Sequence, residues 1–491
     1  MQNHPKGYRK TAVRGAAITG IAQLLKVGLQ IASTVVLSRL LQPADFGIVA
    51  MVAPIVAFVS LFQDLGLQQA IVQARDVTPE QISRLFWINL AMSCSIAVSM
   101  MVVAPLAGWF YGDSRVVLLT ALWSLPLLLV AVAAQHLALL NRTLQFSAIA
   151  AIDVVSSVSA LLCAILSALI LHNYWALWFS VAAGTLTTAA MAWYATGWRP
   201  QDPRVRADTG QMLRFGLNLA GFNFMNFFSR NLDNVVIGKA FGPSALGFYD
   251  RSYKLLLAPL GNINAPAGRV LLPILARMRD EPQRYRDAYL RSAGLITWIC
   301  VPGIAALAIV ADDFVPLLLG QRWAAAAPIF AWLGVAGVCQ PLGNATGWLF
   351  TTQHRTNDMF RWGIFSSSTT IASFFAGLPW GVTGVAVAYA LSSLLLRQPL
   401  LLFWVGRRGP VRTSDLVSIQ LPVLVSSFVC FLFMRLLDAH SDVDPFVNVV
   451  LALAISYSLA LAVLMAIPAT RNSFISTIEV VMQGLKQRRS A

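Results

Sequence analysis

Apolar stretches of about 18 residues or more recur from one end of this chain to the other, separated by short polar gaps. A stretch of that length suits an α-helix crossing a bilayer core, which takes about 20 residues. Fourteen spans are predicted, at 15–40, 45–66, 84–108, 116–139, 147–171, 175–197, 212–239, 245–270, 288–311, 326–351, 360–378, 381–404, 416–436 and 446–468. The pattern predicts an all-α polytopic membrane protein. Apolar runs this frequent exclude a soluble globular fold of the same length.

One local pattern occurs twice. Val35, Val36, Arg39 and Pro43 before Gly47 are matched by Val235, Val236, Lys239 and Pro243 before Gly247. Each copy ends an apolar run at one basic residue, turns at a proline and re-enters apolar sequence after a glycine. Two such halves in a membrane protein predict a two-lobed transporter with its binding site between the lobes. The proline-bearing gap 198–211 is the expected linker, between an N-lobe at 1–197 and a C-lobe at 212–405. Two further helices follow at 406–468, and then a tail at 469–491.

Composition changes this picture mainly through charge. The chain has 491 residues, of which 57% are hydrophobic and 12% charged, with a net charge of +15. The basic residues sit in the gaps, where they set membrane orientation. With the N-terminus in the cytoplasm, the cytoplasmic segments hold 26 basic residues. The opposite gaps hold 4: Arg39, Arg115, Lys239 and Arg322. One helix too many or too few would scramble every later gap, so the bias predicts an even count and both termini cytoplasmic. No basic patch interleaved with aromatics stands on a soluble element, so no nucleic-acid partner is expected.

Other signals exclude rather than assign. Residues 1–14 are basic, but the apolar run after them is too long for a cleavable signal and is read as the first span. The five cysteines lie inside apolar runs as packing thiols, and the histidines show no metal spacing. No phosphate loop, cofactor motif or sizeable outward loop carries catalytic residues, so no enzyme, cofactor or metal is expected. Trp109, Tyr174, Trp175, Trp198, Trp323 and Trp404 fit an interfacial belt. In the tail, Phe474, Ile478, Val481 and Leu485 recur at helical spacing, predicting a helix lying on anionic lipid.

The chemistry-bearing positions are charges inside the membrane, where each costs about 2.5–3.5 kcal/mol unless it lines a cavity or pairs. Arg230 and Asp233 share a face of the seventh span, Asp250 and Lys254 share a face of the eighth beside Arg251, and Lys26 lies mid-depth in the first. Asn218, Asn223, Asn226, Asn231 and Asn234 make the seventh span polar. These predict a net cationic, water-filled cavity lined by the first, seventh and eighth spans. Lys26, Arg230, Asp233, Arg251 and Lys254 are its candidate contacts with an anionic substrate group. The alternative is that Arg230–Asp233 and Asp250–Lys254 neutralise each other and only fix packing. Asp64 and Asp153 are candidate cation or proton sites. Arg397 and Arg435, near helix ends, are expected to snorkel.

Leu37 to Gly47, Asp64-Leu65-Gly66-Leu67 and Leu85 to Leu90 resemble the Wzx-type flippases for lipid-linked oligosaccharides, WzxC-like exporters above all. Arg214-Phe215-Gly216, Arg230 to Asn234 and Gly247 to Tyr253 are similar to the second lobe of that family. The resemblance runs over about residues 10–410 and weakens after that. It implies the multidrug/oligosaccharidyl-lipid/polysaccharide exporter fold, two pseudo-symmetric six-helix lobes in a V plus two C-terminal helices. It also implies alternating access in the bacterial inner membrane, with an undecaprenyl-pyrophosphate-linked repeat unit as substrate. The route is lipopolysaccharide or exopolysaccharide biosynthesis. Membrane lipids, a polysaccharide polymerase and chain-length machinery are the partners it implies. A cation-coupled multidrug antiporter of the same superfamily is the alternative, and would favour an acid-lined cavity. The intramembrane charges are instead six basic to four acidic. A structural scaffold would not need them.

Overall fold

A computed structural model of the chain describes residues 5–63, 71, 77–203, 210–438, 444–466 and 471, except for the side chains of 5–18, 210–226, 228–230, 265 and 438. Asp64, the side chain of Arg230 and the tail segment 473–489 lie outside the described residues. Among the described residues every element is helical and none is a strand. Eleven helical stretches there are long and apolar enough to cross a membrane. One of them, Thr356–Gly406, has 51 residues, over twice what a crossing needs. It folds back at Gly377–Gly381, where Gly381 takes φ +75° and the backbones at Gly377 and Gly384 touch.

The chain divides into two compact units, residues 1–247 and 248–491. The first unit holds α1 (Pro5–Leu40), α2 (Pro43–Gln63), α3 (Pro79–Tyr111), α4 (Ser114–Leu122), α5 (Ser124–Arg142), α6 (Phe146–Leu171) and α7 (Trp175–Thr196). It also takes the first limb of α8 (Gly210–Arg277), a 68-residue helix broken at Gly242, whose φ of 78° and ψ of −176° leave helical space. The division thus falls within α8, beyond the 198–211 segment.

Local chemistry sets these boundaries. α3 starts five residues before the predicted 84 because Thr78 and Gln81 form a capping box, with Pro79 at the first helical position. It stops at Gly112 in the left-handed region. α6 packs against α1 and α7. Small residues bring α6 and α7 close: Ser180 Oγ donates to Ala160 O at 3.1 Å and Thr187 Oγ1 to Ser159 Oγ at 2.9 Å. In lipid, where apolar burial gives no drive between helices, such close packing and cross-helix bonds hold a bundle together.

The second unit contains α9 (Pro282–Ile309), α10 (Ala311–Leu319), α11 (Ala327–Gly337), α12 (Gln340–Thr352), α13 (Thr356–Gly377), α14 (Gly381–Leu391), α15 (Gln398–Gly406), α16 (Thr413–Asp438) and α17 (Pro445–Ala466). α9 is its hub and packs on α11, α12, α16 and α17. Pro302 inside α9 strains the preceding turn, and Ile299 O in that turn accepts the Tyr457 hydroxyl at 2.8 Å. Gly303 leaves the room that hydroxyl needs. The predicted span 326–351 is two helices, α11 and α12, which meet at Val338 and Cys339 just before Pro341. Trp323 does not belong to an interfacial belt. It is fully buried on a 3-10 turn, Gln321–Ala326, with Phe248 edge-on at 5.9 Å.

Candidate functional site

The repeated motif forms a reciprocal contact inside the first unit. A Cβ on Gly47, at the start of α2, would overlap the carbonyl of Pro243, and one on Gly247 would overlap the carbonyl of Pro43. The two copies therefore meet backbone to backbone, each glycine against the other copy's proline, in a locally two-fold arrangement. Phe46 and Leu246 beside the glycines are buried. Gly238 rests on Met51 and Tyr111, and Phe227 meets Phe58 edge-on at 5.3 Å, so the first limb of α8 lies along α2. The basic residue of the second copy is fixed locally: Lys239 Nζ donates to Phe110 O at 2.5 Å and stands 5.2 Å from the Phe110 ring centre.

Among the described residues, the charges of this unit that the sequence places inside the membrane lie on α1, α6 and α8. Lys26 Nζ is 3.7 Å from Asp153 Oδ1, with the side chains 44% and 48% exposed. The sequence placed these residues in separate roles, substrate contact and cation site. The structure brings them together, because α1 packs along α6. The pair is neutral and open, and where water fills the space beside it its net worth is about 0–1 kcal/mol and it parts at little cost. Asp233 on α8 is buried, and its Oδ1 accepts the Asn234 N–H at 2.9 Å. Asn231 Nδ2 donates to Phe227 O at 3.0 Å.

The second unit carries its charge differently. Asp250 is 6% exposed and accepts Lys254 Nζ at 2.9 Å, while Lys254 is 56% exposed. Arg251 is partly buried beside them and feels the Asp250 carboxylate as well. Two cations thus lie near one carboxylate on one turn of α8. Desolvation strengthens both attractions, and an anion with several acceptor oxygens is what such a turn can hold.

Arg397 departs from the expected snorkelling. It ends a π turn, Ser392–Arg397, between α14 and α15. Its guanidinium is turned inward: Nη1 donates to Thr370 Oγ1 and Nη2 to Ser393 Oγ and, at 3.1 Å, to Tyr389 O. The Tyr389 ring lies 4.5 Å below it. Among the described residues no carboxylate pairs with it. A π turn inserted in a helix frequently marks a functional position. The available sequence signal was Ser393 one turn before Arg397 together with Thr370 on the preceding helix. Among the described residues no group of three or more His, Cys, Asp or Glu could hold a metal ion.

Residues 36–328 match the protein family described as polysaccharide biosynthesis protein. The chain is 24% identical over 394 residues to the lipopolysaccharide biosynthesis protein WzxC of Escherichia coli K12, covering 79% of each. Among solved structures it superposes on the lipid II flippase MurJ, inward closed, with a TM-score of 0.70 at 13% identity, over 92% of this chain and 98% of that one. An inward-facing multidrug resistance MATE family transporter gives 0.64 at 14% identity, over 82% and 99%. At these identities the two structures show a shared fold.

Proposed function

The chain belongs to the polysaccharide biosynthesis protein family, and we propose that it is a flippase for a polyprenyl-pyrophosphate-linked oligosaccharide repeat unit. It moves this unit from the inner to the outer leaflet of the bacterial cytoplasmic membrane by alternating access. The reading is carried by the family match, and the turn of α8 on which Lys254 and Arg251 flank Asp250 agrees with it. Such a turn suits a pyrophosphate better than a cationic drug. Family membership and the likeness to WzxC support the class of substrate.

In this reading Lys26, Arg230, Asp233, Arg251 and Lys254 line the substrate path, and Asp64 and Asp153 are cation or proton positions. Lys26 and Asp153 then act as one breakable pair rather than as separate sites. Fourteen spans, an N-lobe at 1–197, a C-lobe at 212–405, two added helices at 406–468 and cytoplasmic termini complete the proposal. It rests on the bias of basic residues. A polymerase and chain-length machinery are the proposed partners downstream.

The cation-coupled multidrug antiporter remains the second reading, favoured by the MATE-like fold. Purified protein in vesicles separates the two. A fluorescent polyprenyl-pyrophosphate sugar becoming accessible across the bilayer supports the flippase. Gradient-driven drug uptake without sugar-lipid movement supports the antiporter.

A further inference from the structure

A second cationic feature lies away from the membrane-embedded charges, among the gap segments of the second unit. A cavity of about 360 Å³ is lined by Pro282, Gln283, Arg286, Gly409, Pro410 and Arg412. That volume lies within the usual range for small-ligand sites, about 300–1,000 Å³. Its two arginines are held very differently. Arg286 is locked on Asp415 through two parallel bonds, Nε to Oδ2 at 2.9 Å and Nη2 to Oδ1 at 2.6 Å, which leaves Nη1 without a bond among the described residues. Arg412 is exposed. Its backbone N–H donates to Asp415 Oδ2 at 2.9 Å, while its guanidinium makes no hydrogen bond or ion pair among the described residues.

Asp415 is thus already spent on Arg286 and on the first turn of α16. The other negative group near Arg286 is the exposed Asp287, whose charge also acts on that guanidinium. Against it stand Arg407 and Arg408, which share the single carboxylate of Asp358 with Arg355 at 3.9, 3.8 and 3.1 Å. The start of α9 adds a further attraction. Glu281 makes no side-chain cap and turns its carboxylate to Arg284 instead. Pro282 carries no N–H, so the open donors of this 28-residue helix are those of Gln283 and Arg284, and Gln283 lines the cavity. Gly409, at φ +100°, gives the loop its turn over the cavity.

We propose that this cavity binds a phosphate group through Arg412, the free Nη1 of Arg286 and the first turn of α9. A phosphate offers acceptors on several sides, and a fixed fork plus an exposed, unbonded one, beside open N–H groups, engages it from two directions. The group has two sources, the headgroup of an anionic phospholipid or a soluble diphosphate. The orientation proposed above puts the cavity on the cytoplasmic side, where both occur.

The test is amide hydrogen exchange of the full chain in nanodiscs, read at 282–286 and 409–413. One arm uses phosphatidylcholine discs with added inorganic pyrophosphate. The other uses discs containing phosphatidylglycerol and no added anion. At ten times the dissociation constant, exchange in these segments slows about tenfold. Slowing in the first arm identifies a soluble source, and slowing in the second arm alone a lipid headgroup. Either must be lost in Arg412→Gln, which breaks no ion pair among the described residues, and retained in Arg291→Gln, which removes an equal charge from an exposed side chain outside the cavity. No slowing in either arm overturns the proposal. So does equal loss in the two variants, because that is diffuse attraction to a basic face.

Discussion

The two units hold their helix-borne charges in opposite ways. In the first, Lys26 and Asp153 come from different helices, meet at 3.7 Å and stay about half exposed, so the pair is neutral and loose. In the second, Asp250 and Lys254 lie four residues apart on one helix and meet at 2.9 Å, with the carboxylate buried and Arg251 beside it. A cross-helix pair reports on the spacing of α1 and α6 and breaks when they part. A pair within one turn of α8 survives any helix movement and stays where that helix puts it. The first arrangement suits a switch, the second a fixed anion contact. Arg397, held by hydroxyls and a carbonyl, adds to the positive side of the second unit.

The frame of the first unit is tightest where the two copies of its repeated motif touch, and the largest effect is expected there. Gly47→Ala forces its new methyl into the Pro243 carbonyl, so the backbones of α2 and α8 must separate. Overpacking of this kind costs about 1–3 kcal/mol or more. Membrane levels and melting temperature should both fall, whereas Gly28→Ala in α1, with open space around it, should change neither.

Next comes the fixed contact. Arg251→Gln should cut sugar-lipid transport by about 10–100-fold at normal membrane levels, the loss expected for a charged hydrogen bond worth about 1.5–3 kcal/mol. Arg251→Lys should recover only part, because it keeps the charge and loses the fork. Full transport by Arg251→Gln would remove the second unit's claim to the substrate.

The loose pair should respond less. A double-mutant cycle on Lys26→Ala and Asp153→Ala, read by thermal unfolding, should give a coupling of at most about 1 kcal/mol. The exchanged variant, Lys26→Asp with Asp153→Lys, should transport better than either single reversal. If it matches the worse single reversal, the pairing has no role in transport. The smallest effect belongs to Lys254→Gln. Its side chain is 56% exposed and Arg251 still lies beside the Asp250 carboxylate, so transport should fall less than in Arg251→Gln.

What was legible in the sequence follows the range of the forces involved. Apolar run length is local, so it marked the membrane-crossing helical class, though not a confirmed number of spans, and the repeat at Pro43 and Pro243 marked a pair of turns that touch. Asp250 and Lys254 were legible because helical geometry alone puts them on one face. Lys26 and Asp153 were not seen as partners, since only the packing of α1 on α6 joins residues so distant in sequence. Arg397 was misread because its position near a helix end fits snorkelling, and the hydroxyls that hold it inward include one from another helix. Trp323 was misread for a similar reason: its place in a gap suggests an interface, and the turn of 321–326 that buries it is a tertiary feature.

The central claim is that this chain carries a sugar-linked lipid across the membrane. The most direct test is the sidedness of that lipid in cells with and without the gene, probed from the outer leaflet. The account predicts that without the protein the lipid-linked glycan accumulates out of reach of the probe, and that the intact gene restores access while Arg251→Gln does not. Unchanged access in cells lacking the protein would contradict it.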